Sequence, residues 1–204
     1  HSGDATDHNL PLMIWYGVSD LVPLDQNRVL ALVNATRIPK VRQFIVRRLS
    51  ETEEGRSAIL GLVSNHADDP AFAADVLAGL SMALSKSGIL AEPKTWPEAS
   101  AVFVSLDEPA QRRDFEIVAT VFGDKRMAER FRKVIVDLNA RKEDRTSAFE
   151  NLIRMKLPDA ADLLMKLASN AGDPQRSEWI RGIGMTPDDR TPAFLMTLFA
   201  GLDV

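Results

Sequence analysis

The feature of this 204-residue chain that most constrains its fold is an arginine that keeps returning at the edge of an apolar helical face. The clearest instance is the stretch from Ile38 through Pro39, Lys40, Val41, Arg42, Gln43, Phe44, Ile45, Val46, Arg47 and Arg48 to Leu49. Steps of about 100° per residue place Val41, Ile45 and Leu49 on one side of a helix, with Arg42 at the border of that side. A charge in that position must find a partner, because leaving it buried and alone is costly. The same spacing recurs where Arg56 precedes Ile59, Leu62 and Val63, and where Arg112 precedes Phe115 and Val118. It recurs again where Arg145 precedes Ala148 and Leu152, and where Arg176 precedes Trp179 and Ile183. Such an echo points to a stack of helix pairs.

Helix boundaries support this reading. Asp25, the Ser50–Glu54 segment, Asp69-Pro70, Glu108-Pro109 and Asp124 supply capping residues or a proline suited to a first helical turn. About twelve helices follow from the periodicity, grouped into about six pairs whose first members begin near positions 9, 38, 70, 109, 142 and 173. No period-2 alternation flanked by turn residues suggests a strand. A helix-pair repeat of roughly 29 to 39 residues is the mark of a solenoid. The expected fold is therefore all-α: a HEAT-like helical-repeat solenoid, or α-α superhelix, forming a single domain over residues 1–204. An irregular all-α bundle is the alternative. The proline-bearing loop Ala91–Trp96 is the one candidate domain boundary.

Composition narrows the chemistry. The chain has no cysteine, which excludes disulfides, thiol catalysis, iron–sulfur ligation and covalent c-type haem attachment within it. The formal net charge of −4 gives the whole molecule no bias toward nucleic acid or anionic membrane. No apolar run approaches the roughly 18 residues of a membrane span, so no membrane insertion is expected. His1, His8 and His66 are the three imidazoles; Asp7 and His8 read as helix-capping residues rather than metal ligands. The paired acids Asp68/Asp69 and Asp188/Asp189 also read as caps rather than as a general acid and base. No catalytic, cofactor or metal site is expected.

Two surfaces and one internal set remain as candidates. Leu10 to Val22 is apolar on nearly every side, and its lack of a polar outer face marks Leu12, Trp15 and Tyr16 for interaction. They would meet another domain of a parent chain, a protein partner, or a second copy in weak self-association. The span Lys125–Arg145 carries eight basic residues. Arg126, Arg130 and Lys133 lie opposite the stripe of Met127, Phe131, Val134, Ile135 and Leu138. A HEAT-like nucleic-acid groove, as in helical-repeat glycosylases, is the alternative function; the stripe lacks interleaved aromatics for base stacking, which favours a solvated face. Arg42, Arg112, Arg145 and Arg176 are expected to be structural, each paired with a carboxylate on a neighbouring helix such as Asp107, Asp144 or Asp173.

Two segments carry a resemblance beyond the general pattern. Residues 4–17, Asp-Ala-Thr-Asp-His-Asn-Leu-Pro-Leu-Met-Ile-Trp-Tyr-Gly, and residues 38–49 resemble the HEAT-repeat region of the large planctomycete-type multidomain cytochrome proteins. The likeness covers about the first fifty residues. In that family a dehydrogenase-like β-propeller precedes the repeats and a c-type cytochrome domain follows. The family's Cys-x-x-Cys-His motif is missing from this chain. The resemblance therefore implies an excised middle domain: a non-catalytic scaffold from an exported, periplasmic or cell-envelope protein whose electron-transfer chemistry lies elsewhere.

Overall fold

The computed structural model describes residues 9–22 and 24–200. Among these it contains twelve α-helices and no strand. They are α1 (Leu10–Ser19), α2 (Gln26–Ala35), α3 (Pro39–Leu49), α4 (Glu53–Asn65), α5 (Pro70–Leu84) and α6 (Trp96–Val104). The second half holds α7 (Pro109–Val121), α8 (Lys125–Val136), α9 (Lys142–Met155), α10 (Ala160–Ser169), α11 (Arg176–Met185) and α12 (Thr191–Ala200).

The helix starts follow from local chemistry. Pro39, Pro70 and Pro109 each open a helix, where a missing N–H leaves nothing unsatisfied. The carboxylate of Asp25 accepts from the Arg28 N–H at 3.0 Å. The Thr52 hydroxyl accepts from Gly55 at 3.1 Å, and Asp69 accepts from Phe72 at 2.9 Å. Each bond satisfies one orphan donor of a first turn. Glu108 and Gln111 form a reciprocal capping box at the head of α7.

The chain divides into two compact units, His1–Asp124 and Lys125–Val204, and the Ala91–Trp96 loop lies inside the first. In the first unit each helix packs on the one two places along. α1, α3, α5 and α7 form one row, and α2, α4 and α6 form another. The core between them buries Val41, Ile45 and Leu49 of α3 with Phe72, Val76, Leu77 and Leu80 of α5. Gly79 sets the α3–α5 separation: a Cβ there would stand 2.7 Å from the Val46 Cβ and 2.8 Å from the Gln43 carbonyl oxygen. At the far end Trp96 is fully buried against Phe103, Phe115 and Phe122, with ring centroids 5.0–6.2 Å apart. Its indole N–H donates to the buried Asp124 carboxylate at 2.8 Å, which satisfies the polar edge of an otherwise apolar side chain.

In the second unit α8 packs on α9, α10 on α11 and α11 on α12. α8 has the sharpest amphipathic division of any helix. Met127, Ala128, Phe131 and Ile135 are buried, whereas Arg126, Arg130 and Lys133 are exposed. α9 meets α11 through Phe149, whose ring stands edge-on to Trp179 at 5.4 Å and rests on the bare Cα of Gly182.

Candidate functional site

Two of the recurring arginines turn out to be brackets between helices, whereas Arg56 donates, among the described residues, only to the Ser50 carbonyl, at 2.9 Å. Arg42, in the first turn of α3, donates from Nε to the Val33 carbonyl at the end of α2, at 3.1 Å, and from Nη2 to the Thr36 carbonyl. Its Nη1 reaches Asp75 of α5 at 2.6 Å, and Gln43 donates to the other oxygen of that carboxylate at 3.1 Å. The guanidinium lies 4.8 Å from the centre of the Phe72 ring, whose neighbour is His66 at 4.4 Å, nearly parallel. His66 closes α4, with Nδ1 2.9 Å from the Leu62 carbonyl oxygen.

Arg145 repeats the arrangement in the second unit. Its Nε donates to the Ile135 carbonyl of α8 at 2.9 Å, and Nη1 and Nη2 donate to the two oxygens of Asp173 at 3.0 and 2.6 Å. Asp173 also accepts from the Gln175 N–H at 2.8 Å and from the Trp179 indole at 3.0 Å. Burial pushes the Asp173 carboxyl upward, but the bonds from Arg145, Gln175 and Trp179 outweigh it and hold the group below its ordinary range. Beside it Glu178 accepts from Gln175 Nε2 at 2.9 Å, from the Thr146 hydroxyl at 3.0 Å and from Lys142 at 3.2 Å. There too burial raises the carboxyl and these donors more than compensate, so it lies below its ordinary value.

The remaining arginines differ. Arg112 pairs with Asp107 at 3.2 Å in the open, and Asp144 is taken by Arg141 rather than by a repeat arginine. Arg176 donates from Nε to the Ala168 carbonyl at 2.7 Å and meets no carboxylate among the described residues. Asp75 and Gln175 were not singled out by sequence. The signal for Asp75 was present: one carboxylate within Phe72-Ala73-Ala74-Asp75-Val76-Leu77, an otherwise apolar run.

The outward-facing candidate lies on α1 and α3. In α1 only Pro11 is buried; Leu12 is 40%, Met13 68% and Tyr16 65% exposed. Trp15 turns toward α3 and stands 6.0 Å from Phe44. These two rings, with Arg47, Arg48 and Glu51, line an open depression of about 250 Å³. A second, of about 350 Å³, shares Arg48 and Glu51 and extends over Gln26, Leu49 and Thr52. Arg48 is ion-paired with Glu51, and Arg47 is exposed. The half-buried rings of Trp15 and Phe44 thus lie beside guanidinium and carboxylate groups, and the second depression adds the Thr52 hydroxyl and Glu54.

Comparison with family models, curated proteins and solved structures finds no match for this chain. Among the described residues no group of three or more His, Cys, Asp or Glu side chains could hold a metal ion, and no helix is long and apolar enough to cross a membrane. His1, Asp7 and His8 lie outside the described residues. On α8 the solvent face holds Arg126, Arg130 and Lys133, while Arg132 is spent on Glu129 and Asp159 at 3.1 and 2.7 Å. Arg145, the last basic residue of the Lys125–Arg145 stripe, is 1% exposed and takes no part in that face.

Proposed function

We propose that this chain is a HEAT-like helical-repeat module, an α-α superhelix, that acts as a non-catalytic scaffold and docks a protein partner or a neighbouring domain on its α1–α3 face. The observation that carries the reading is the packing order of the first unit, in which α1, α3, α5 and α7 form one row and α2, α4 and α6 the other. Nearest-neighbour stacking of helix pairs is how a solenoid builds its core. The bracket arginines support it, since Arg42 and Arg145 each tie one helix pair to the next by the same bonds. The exposed Leu12, Met13 and Tyr16 supply the docking element, because a soluble surface rarely leaves neighbouring large apolar side chains bare without a use for them. The two segments resembling cytochrome-associated HEAT regions make a large exported redox protein the proposed parent; a Cys-x-x-Cys-His motif encoded downstream at the locus is the expected finding, and its absence would remove that part of the reading.

Light scattering across a wide concentration range tests the docking face. The isolated chain is expected to gain mass as concentration rises, and Trp15→Ser or Tyr16→Glu to keep it monomeric. Concentration-dependent association that survives both substitutions would place the sticky surface elsewhere and refute the assignment to α1.

A further inference from the structure

Three arginines are held by the same first bond. Arg42, Arg145 and Arg176 each donate from Nε to a carbonyl near the end of the preceding helix, at 3.1 Å (Val33), 2.9 Å (Ile135) and 2.7 Å (Ala168). In the first two an aspartate and a ring complete the site, although Arg42 gives one Nη to its aspartate and the other to the Thr36 carbonyl, whereas Arg145 gives both to Asp173. An aspartate occupies the Nη edge, Asp75 or Asp173, and an aromatic ring lies against the plane, Phe72 at 4.8 Å or Trp179 at 5.2 Å. Arg176 is half-buried, and its Nε bond is its one side-chain hydrogen bond among the described residues. The nearby carboxylates are committed, Asp173 to Arg145 and Glu178 to Lys142, Thr146 and Gln175.

We propose that Arg176 is an open carboxylate socket that docks an acidic helical segment of a partner protein, one bearing an aspartate preceded three residues earlier by an aromatic side chain, as Phe72 precedes Asp75 within α5. The Nε bond fixes the fork before anything binds, so little side-chain freedom is lost when a carboxylate arrives. Both terminal nitrogens then donate in parallel, the arrangement that makes arginine selective for planar anions. The precedent for the occupant is inside the chain: twice, an aspartate on an Nη edge comes with a ring from the same stretch of chain, Asp75 with Phe72 and Asp173 with Trp179. The site lies in the second unit and does not depend on the α1–α3 face.

The test follows the Nε–Hε signal of Arg176 in the ¹⁵N-labelled full chain, with Arg42 and Arg145 as filled references. The probe is a 14-residue alanine-based helical peptide with Phe and Asp three residues apart, Phe first. A saturable shift at Arg176 is expected, about tenfold or more weaker with Asn in place of the peptide's Asp, since a charge-assisted bidentate pair is lost. Arg176→Gln should abolish it. Arg176→Lys keeps the charge without the fork and should retain little, which also serves should the Gln variant fail to fold. Equal shifts with the Asp and Asn peptides, or undiminished binding by Arg176→Gln, would overturn the proposal. So would a silent wild type.

Discussion

The Arg42–Asp75 bracket of the first unit and the Arg145–Asp173 bracket of the second are the same device in two solvents. Side chains of the first pair are each 11% exposed; those of the second are 1% and 0%. The partly wet pair makes one Nη contact with its aspartate and spends its other donors on the backbone carbonyls of Val33 and Thr36. The dry pair is bidentate, and its carboxylate is further satisfied by a backbone N–H and an indole. Burying an ion pair is tolerable only when every remaining lone pair and proton is used, and the number of bonds rises with the degree of burial as that requirement demands. Complete satisfaction does not make the dry pair a source of great stability. It makes the pair expensive to break.

Arg145→Ala is therefore the substitution with the largest expected effect. It strands Asp173 in a dry site and should cost roughly 3–5 kcal/mol. Hydrogen exchange read by mass spectrometry on α9–α11 peptides gives the loss locally, which matters because two units can unfold in separate steps. A loss under about 1 kcal/mol would show that the site readmits water and would erase the contrast between the brackets.

Acid should act on the same bracket in the same direction. The folded-state pKa of Asp173 lies below its ordinary value, because the donors around it outweigh its burial. Its contribution is therefore fully present above the ordinary aspartate range, near about 4, and drains away as pH falls through the depressed folded value. Protection of α11 amides should hold at neutral pH and collapse on the acid side. Asp173→Asn should remove most of that dependence. A pH profile unchanged by Asp173→Asn would assign acid sensitivity to other carboxylates.

Arg42→Ala should fall in the middle, at roughly 1–3 kcal/mol, because Asp75 keeps Gln43 and some water. Urea denaturation of the two alanine variants side by side ranks them. Equal losses for Arg42→Ala and Arg145→Ala would mean that burial is not what separates the brackets.

Much of this architecture was legible in the sequence because it rests on local rules. Pro39, Pro70 and Pro109 begin helices, Asp25, Thr52 and Asp69 cap them, and the three-and-four spacing of Met127, Phe131 and Ile135 marks the buried side of α8. The bracket arginines were legible as residues needing partners, and Asp173 was among the carboxylates named for them. What stayed hidden depends on contacts far apart in the chain. Arg42 and Asp75 are 33 residues apart, and nothing in the local pattern of α5 says which helix its lone carboxylate faces. The apolar helix α1 illustrates the opposite limit. Its lack of a polar face marked Leu12, Trp15 and Tyr16 for contact with a neighbour, and Leu12, Met13 and Tyr16 are exposed while Trp15 packs near Phe44; composition reports what a helix could bury and not what stands beside it. Leu138 is another instance. It continues the apolar stripe of α8 in sequence, but α8 ends at Val136 and Leu138 is left 52% exposed.

The smallest effect is expected at Arg112, and it is the sharpest control on the comparison. Arg112 has the same sequence signature as Arg42 and Arg145, an arginine followed by an apolar residue three positions on, and it too sits in the first turn of its helix. Its surroundings differ. The pair with Asp107 is 58% and 91% exposed, and the connection is a single contact at 3.2 Å with a residue five positions away. A pair of that kind gains little Coulomb energy in water and loses it to side-chain ordering, so Arg112→Ala should change stability by no more than roughly 0.5 kcal/mol. Adding salt separates the cases further. Any effect at Arg112 should fade within a few hundred millimolar sodium chloride, because exposed charges are screened at that ionic strength, whereas the penalty at Arg145 should persist. If Arg112→Ala proves as damaging as Arg42→Ala, the sequence signature itself would carry the stabilisation, and the burial and bond inventory that distinguish the brackets would not be what sets their worth.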